Sequence, residues 1–145
     1  MQKPAAFTTG VTSDQLSIPP GCTSRSRVLD ALGCAVGALG SPIASQLRAH
    51  TEGFGIEGRC ALIGGGRSAP DRAAFFNSAL VRYVDFNDSY RPPGGTRHPS
   101  DNLGPVLPLA ITPAVPDFLT ALAVAYQVQC RLSDLAPQRA KSSII

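Results

Sequence analysis

The sequence predicts a mostly α-helical domain with at most one short strand. Apolar residues recur at helical spacing in most segments, while the 14 glycines and 13 prolines cluster between those segments. Only Cys60-Ala61-Leu62-Ile63 reads as a strand. At 145 residues and 43% hydrophobic content, the chain is one domain by length and apolar enough to form a core.

Taken in order, residues 1–20 read as a loose leader ending at Pro19-Pro20-Gly21, residues 21–140 as the helical domain, and residues 141–145 as a divergent tail. Thr23 or Ser24 suits the cap of a first helix, whose apolar positions are Val28, Leu32, Ala35, Val36 and Leu39. Gly33, Gly37 and Gly40 lie along one stripe of it. Each glycine weakens a helix by roughly 1 kcal/mol, so the stripe suggests that another helix approaches closely. Ser41-Pro42 permits a new start, and Ile43 to His50 is a second helical piece, with His50 on its surface. Asp71 opens the strongest helical pattern, through Ala73, Ala74, Phe75, Ala79, Leu80 and Tyr83. Pro92-Pro93-Gly94-Gly95 makes an exposed tip. Leu103 to Ile111 restarts as a helix with Pro105 in its first turn, and Pro113 and Pro116 then break the chain. Phe118 to Leu132 is a clear helix with Leu119, Leu122, Ala123, Tyr126 and Cys130 on its buried side. No internal repeat and no second domain is visible.

Composition narrows the function. A net charge of +3 is mild and the arginines are scattered, which speaks against a nucleic-acid partner. The four cysteines are far apart and read as buried reduced thiols. The N-terminus lacks the apolar stretch of a secretory signal. The apolar run from Ala31 to Leu47 is interrupted by Pro42 and too short for a comfortable membrane span, so no membrane partner is expected. Gly53-Phe54-Gly55-Ile56-Glu57-Gly58 matches a dinucleotide-loop pattern, but a helix precedes it and the strand-like piece follows, so it reads as a turn. Asp85-x-Asn87-x-Ser89 begins like a calcium loop, but Tyr90 and Thr96 occupy the positions that need glycine and glutamate, so no metal is expected.

The chemistry concentrates in Val84-Asp85-Phe86-Asn87-Asp88-Ser89-Tyr90 and Arg97-His98-Pro99-Ser100-Asp101-Asn102. Carboxylates, hydroxyls, carboxamides and a histidine at this density suit a site that holds an anionic, hydroxylated substrate and moves protons on it. Asp85 is either a helix-end carboxylate bonded to backbone or a base. His98 is either a loop histidine bonded to a neighbouring carbonyl or a group that exchanges protons near neutral pH. Their neighbours Asn87, Asp88, Ser89, Ser100 and Asn102 favour the functional reading of both.

The runs Asn77 to Tyr90 and His98 to Gly104 resemble the hallmark region of the MmgE/PrpD family, which includes 2-methylcitrate dehydratase and cis-aconitate decarboxylase. The resemblance extends to Leu29-Asp30-Ala31-Leu32-Gly33 upstream and to Ala121–Arg139 downstream. It implies an all-helical large domain beside a smaller α/β domain, frequent homodimers, and hydro-lyase or decarboxylase chemistry on di- or tricarboxylates without an iron–sulfur cluster or other cofactor. It implies that Asp85, Ser89 and His98 line the site, where they are the expected catalytic residues; the polar neighbours Asn87, Asp88, Ser100 and Asn102 are expected to bind substrate. Ser89 stands where threonine is common, which keeps the hydroxyl. Two departures stand out. Ile111 to Asp117 is more proline-rich than the family pattern, and the family continues beyond the Arg139 region into a second histidine motif, lysines and the second domain. The chain therefore reads as an N-terminal part of such an enzyme, with a non-catalytic binding or dimerising remnant as the alternative. The expected location is the cytoplasm, or the mitochondrion in a eukaryote.

Overall fold

The chain turns a corner at Ser41, in extended backbone geometry (φ −78°, ψ 153°), whose Oγ accepts the Ala44 N–H at 3.2 Å. Pro42 then occupies the first helical turn, where a missing N–H costs nothing. This corner separates helix α1 (Cys22–Gly37) from α2 (Pro42–Gly53) and bends the pair by 91°. The computed structural model describes residues 8, 10–11, 22–55, 58–92, 95–110 and 117–135. Strands β1 (Cys60–Ala61) and β2 (Arg67–Ser68) follow, then α3 (Pro70–Tyr83), a 3-10 turn (Pro99–Asn102), α4 (Leu103–Leu109) and α5 (Phe118–Leu135). No single helix among the described residues is long and apolar enough to cross a membrane.

The mostly helical expectation holds, with one change of detail. The single strand becomes a hairpin, with Cys60 opposite Ser68 and Ala61 opposite Arg67 in antiparallel register. Periodicity cannot reveal two-residue strands, and this pair is held by side chains from outside it. Gly64, Gly65 and Gly66 all take positive φ and close the loop. Arg48 of α2 donates to the carbonyls of Gly65 (2.9 Å) and Ile63 (3.3 Å), while its guanidinium lies 4.9 Å from the centre of the Phe76 ring. Asn77 of α3 is fully buried; its Nδ2 donates to Ala61 O at 3.1 Å and its Oδ1 accepts Ile63 N–H at 2.9 Å. A carboxamide thus replaces the missing neighbouring strand.

The core gathers Ala31 and Ala35 from α1, Ala38 from the turn after it, Ala44 from α2, Cys60 and Leu62 from the hairpin, Ala73, Phe76, Leu80 and Val81 from α3, Leu103 from α4 and Leu122 from α5. Phe76 and Val81 take the buried positions on α3, whereas Phe75 and Tyr83, expected on the apolar face, are exposed. Thr23 and Ser24 lie inside α1, which starts at Cys22. The close helix approach expected at the glycine stripe of α1 does not occur there: an added Cβ at Gly33, Gly37 or Gly40 meets nothing within 4 Å. It occurs at Gly104 of α4, where a Cβ would lie 2.1 Å from Ser78 Oγ and 2.5 Å from Ser78 Cα of α3. Cys34 and Cys60 are buried and Cys130 half-buried, all as free thiols. The expected tail, and the leader apart from Thr8, Gly10 and Val11, lie outside the described residues, as does the break at residues 111–116.

Gly104→Ala is expected to destabilise the fold by about 1–3 kcal/mol through overpacking against Ser78. Asn77→Ala should cost about 2 kcal/mol by stranding Ala61 O and Ile63 N–H. Urea denaturation measures both, and unchanged midpoints would overturn this account of the α3–α4 crossing and of the hairpin anchor.

Candidate functional site

Helix α3 ends at Tyr83, and two residues later Asp85 takes φ 55°, the one positive-φ position outside glycine among the described residues. Aspartate tolerates this left-handed geometry better than bulkier residues do. Its N–H donates to Arg82 O (3.2 Å), and its Oδ1 pairs with Arg82 Nη1 at 3.0 Å on an exposed rim. The kink throws Phe86 into solvent, 83% exposed, and turns Asn87 inward. Both polar atoms of the buried Asn87 side chain lack a hydrogen-bond partner.

Asp88 anchors the loop. Its Oδ2 pairs with Arg27 of α1, and its Oδ1 accepts the Ser100 N–H at 3.0 Å. Its backbone carbonyl lies 2.9 Å from His98 Nδ1. A carbonyl only accepts, so His98 Nδ1 carries the proton of that bond and, in the neutral ring, Nε2 is left with the lone pair. Tyr126 of α5 closes the cluster from below, with the Arg27 guanidinium 5.5 Å from its ring centre. Burial, reinforced by the Asp88 charge, pushes the Tyr126 hydroxyl well above its ordinary pKa, so it stays protonated.

A backbone bridge between Tyr90 and Arg97, with both N–H···O bonds at 2.8 Å, returns the chain to His98. The 3-10 turn then places three polar side chains. Ser100 is fully buried beside Tyr126 without a hydrogen bond of ordinary geometry. Asp101 is half-buried; its N–H donates to His98 O at 3.1 Å, and its Oδ1 is sealed without a partner. Desolvation raises the Asp101 pKa, against the pull of Arg82 and His98. Asn102 Nδ2 donates to Pro99 O at 2.8 Å and to Gln129 Oε1 of α5. Beside the turn, an open groove of about 710 Å³ runs along α5, lined by Arg97, Asn102, Val124, Val128, Gln129 and Leu132 among others. It shares only its edge with the polar cluster.

The structure thus brings Asp88, His98, Ser100 and Asn102 into one connected group. Asn87 sits in the same loop with its amide unpartnered, Asp85 lies at the rim, and Ser89 is exposed with no hydrogen bond among the described residues. Sequence reasoning passed over Arg27, Tyr126 and Gln129, and did not single out Asp101 within its motif. Arg27 carries no local signal, being 61 residues from Asp88. Tyr126, Gln129 and Ser133 recur at helical spacing, and the polar members of that face were the available clue. Among the described residues no three His, Cys, Asp or Glu side chains gather as a metal site.

Asp88→Ala should destabilise the fold by about 2 kcal/mol, the range for losing charged hydrogen bonds. Arg27→Ala should cost about 1 kcal/mol or less, because Arg27 is partly exposed and its pairing is screened. Chemical denaturation of both variants is the check, and an Arg27 loss exceeding the Asp88 loss would show that the carboxylate is not the anchor.

The sequence profile of the MmgE/PrpD N-terminal domain matches residues 2–144. A 2-methylcitrate dehydratase of Cupriavidus necator is 36% identical over 90 residues, covering 61% of this chain and 18% of that protein. The enzyme of the same name from Salmonella typhi is 35% identical over 105 residues, covering 71% of this chain and 20% of its own. The chain therefore spans about a fifth of the length of these curated relatives. No solved structure matches it. With the hallmark loop, its helical frame and the profile in agreement, the chain belongs to the MmgE/PrpD family.

Proposed function

We propose that this chain is the N-terminal part of a hydro-lyase that acts on a di- or tricarboxylate such as 2-methylcitrate by acid/base β-elimination. The observation that carries this reading is the His98 imidazole, whose Nδ1 is committed to Asp88 O while Nε2 keeps its lone pair. A proton next to a carboxylate is weakly acidic, and a ring nitrogen fixed in this tautomer is suited to accept it. In the decarboxylase variant a carbon–carbon bond breaks in place of the carbon–hydrogen bond: carbon dioxide departs, its electron pair stays on the substrate, and an acid returns a proton to carbon. Asp85 at the rim and Ser89 on the exposed side of the loop are open to substrate arriving from solvent, with Arg82, Arg91 and Arg97 as candidate cations for its carboxylates. The names of the relatives, at about 35% identity over part of their length, support the class of substrate.

The test is dehydration of 2-methylcitrate by the intact protein, followed as alkene absorbance. His98→Ala should lower kcat about 100-fold or more, the usual contribution of a well-placed proton-transfer group. A variant that keeps near-native kcat would remove His98 from the chemistry.

Exposed apolar groups on α1 favour a second property of the same domain, association with a second copy. Leu29 is 74% and Val36 60% exposed, and Gly33 between them leaves the helix backbone open. Val36→Glu is expected to shift the intact protein from dimer to monomer in sedimentation experiments; a dimer that survives the added charge places the contact elsewhere.

A further inference from the structure

The elimination needs an acid as well as a base, and the 3-10 turn supplies a candidate. Resting on the function proposed above, we infer that Asp101 is the proton donor to the departing hydroxyl of the substrate. Its Oδ1 is sealed within the protein and receives no hydrogen bond. An anionic oxygen in that setting is costly, whereas the carbonyl oxygen of a neutral carboxylic acid loses far less by going unpartnered. The neutral acid has one O–H to give, the residue as a whole is half-buried rather than sealed, and the charges acting on it are those of Arg82, His98, Asp85 and Asp88. Asp101 is tied to the base: its N–H bonds the carbonyl of His98, which holds the two groups in one turn.

The charged groups facing Asp101 come from three elements. Arg82 at the end of α3 and His98 at the start of the turn favour the carboxylate, while Asp85 and Asp88 in the loop disfavour it. Desolvation outweighs them, and the net direction is upward. Such a carboxyl keeps its proton at a pH where an ordinary aspartate has lost it, which is what an acid assisting hydroxide departure requires.

The step balances within these groups. The carbon-bound proton passes to Nε2 of neutral His98, and the electron pair of that bond becomes the second bond of the alkene. The carbon–oxygen bond breaks, and the hydroxyl leaves with the Asp101 proton as water. The protein is left with an Asp101 carboxylate and a His98 imidazolium, whose proton returns to Asp101 directly or through solvent.

The experiment compares wild type, Asp101→Asn and Asp101→Glu in the intact protein on two substrates, 2-methylcitrate and its analogue with fluoride in place of the departing hydroxyl. Fluoride leaves as an anion and needs no proton. On the hydroxyl substrate, Asp101→Asn should lose about 100-fold in kcat with little change in KM. Asp101→Glu should recover part of that loss, and the descending alkaline limb of the wild-type kcat profile should vanish in Asp101→Asn. On the fluoro analogue, the difference between wild type and Asp101→Asn should nearly disappear.

A stability measurement runs beside the kinetics. A raised pKa in the folded state means that stability falls as pH rises from the ordinary aspartate value of about 4 through the folded value. Asp101→Asn should therefore melt at a higher temperature than wild type at pH 7, with the gap closing below about pH 4. Equal kcat losses on both substrates would make Asp101 a structural residue and overturn the inference, as would retained kcat in Asp101→Asn. An intact wild type that turns over neither substrate would overturn the proposed function and this inference with it, whereas an active wild type indifferent to Asp101 overturns only the inference.

Discussion

The candidate site depends on one side chain, Asp88, because the loop that carries it has little apolar burial to hold it. Asp85, Phe86 and Ser89 all face solvent, so packing cannot fix their backbone. Ordering such a segment costs conformational entropy of about 1–2 kcal/mol per residue, and charged hydrogen bonds offset it more strongly than neutral ones. Asp88 makes them in two directions, to Arg27 on the first helix and to the Ser100 N–H in the 3-10 turn. Its carbonyl adds a third link, to His98 Nδ1. The tautomer of His98, the seat of Ser100 and the approach of the loop to α1 all follow from that one residue.

Helix α5 supplies the floor. Tyr126 lies under the Asp88–Arg27 pair, Gln129 accepts from Asn102, and Asp134 accepts from the Tyr90 hydroxyl at 2.6 Å. These residues lie along one side of the helix, so a single element fixes the loop, the turn and the bridge between them. The small residues of α1 matter for the same reason. Ala31 and Ala35 are buried without bulk, which lets α3 come close and carry the loop at its end toward Arg27.

Much of this frame was legible in the sequence. The corner at Ser41-Pro42, the helix through Leu80 and the helix from Phe118 all follow from capping chemistry and period. The hairpin was not, because Arg48 and Asn77 hold it and neither advertises that role locally. The glycines of α1 misled for a related reason: a stripe without side chains signals room for close approach, not who approaches. In the site, the density of polar residues between Asp85 and Asn102 marked the loop and turn that the structure gathers around Asp88, and the loop histidine allowed a carbonyl-bonded and a proton-exchanging reading. The structure shows the first. What remained hidden was the long-range half, Arg27 and the polar face of α5, since no local pattern ties residue 27 or 126 to residue 88.

Asp88 and Asp101 show why residue type alone does not assign roles. Both are aspartates of the same motif, and both lie close to His98. Asp88 is surrounded by donors, with a guanidinium on one oxygen and a backbone N–H on the other, so every lone pair that matters is spent on architecture. Asp101 has one oxygen with no donor at all. A carboxylate that is fully bonded is a good anchor and a poor acid, because giving or taking a proton would break the structure that depends on it. A carboxyl left without donors is a poor anchor, and it can change charge without unmaking its surroundings. Two like groups in opposite environments can take different roles in one site, here an anchor and an acid. The loop achieves that separation with residues only 13 positions apart, by routing the α1 arginine to one of them and leaving an oxygen of the other without a donor.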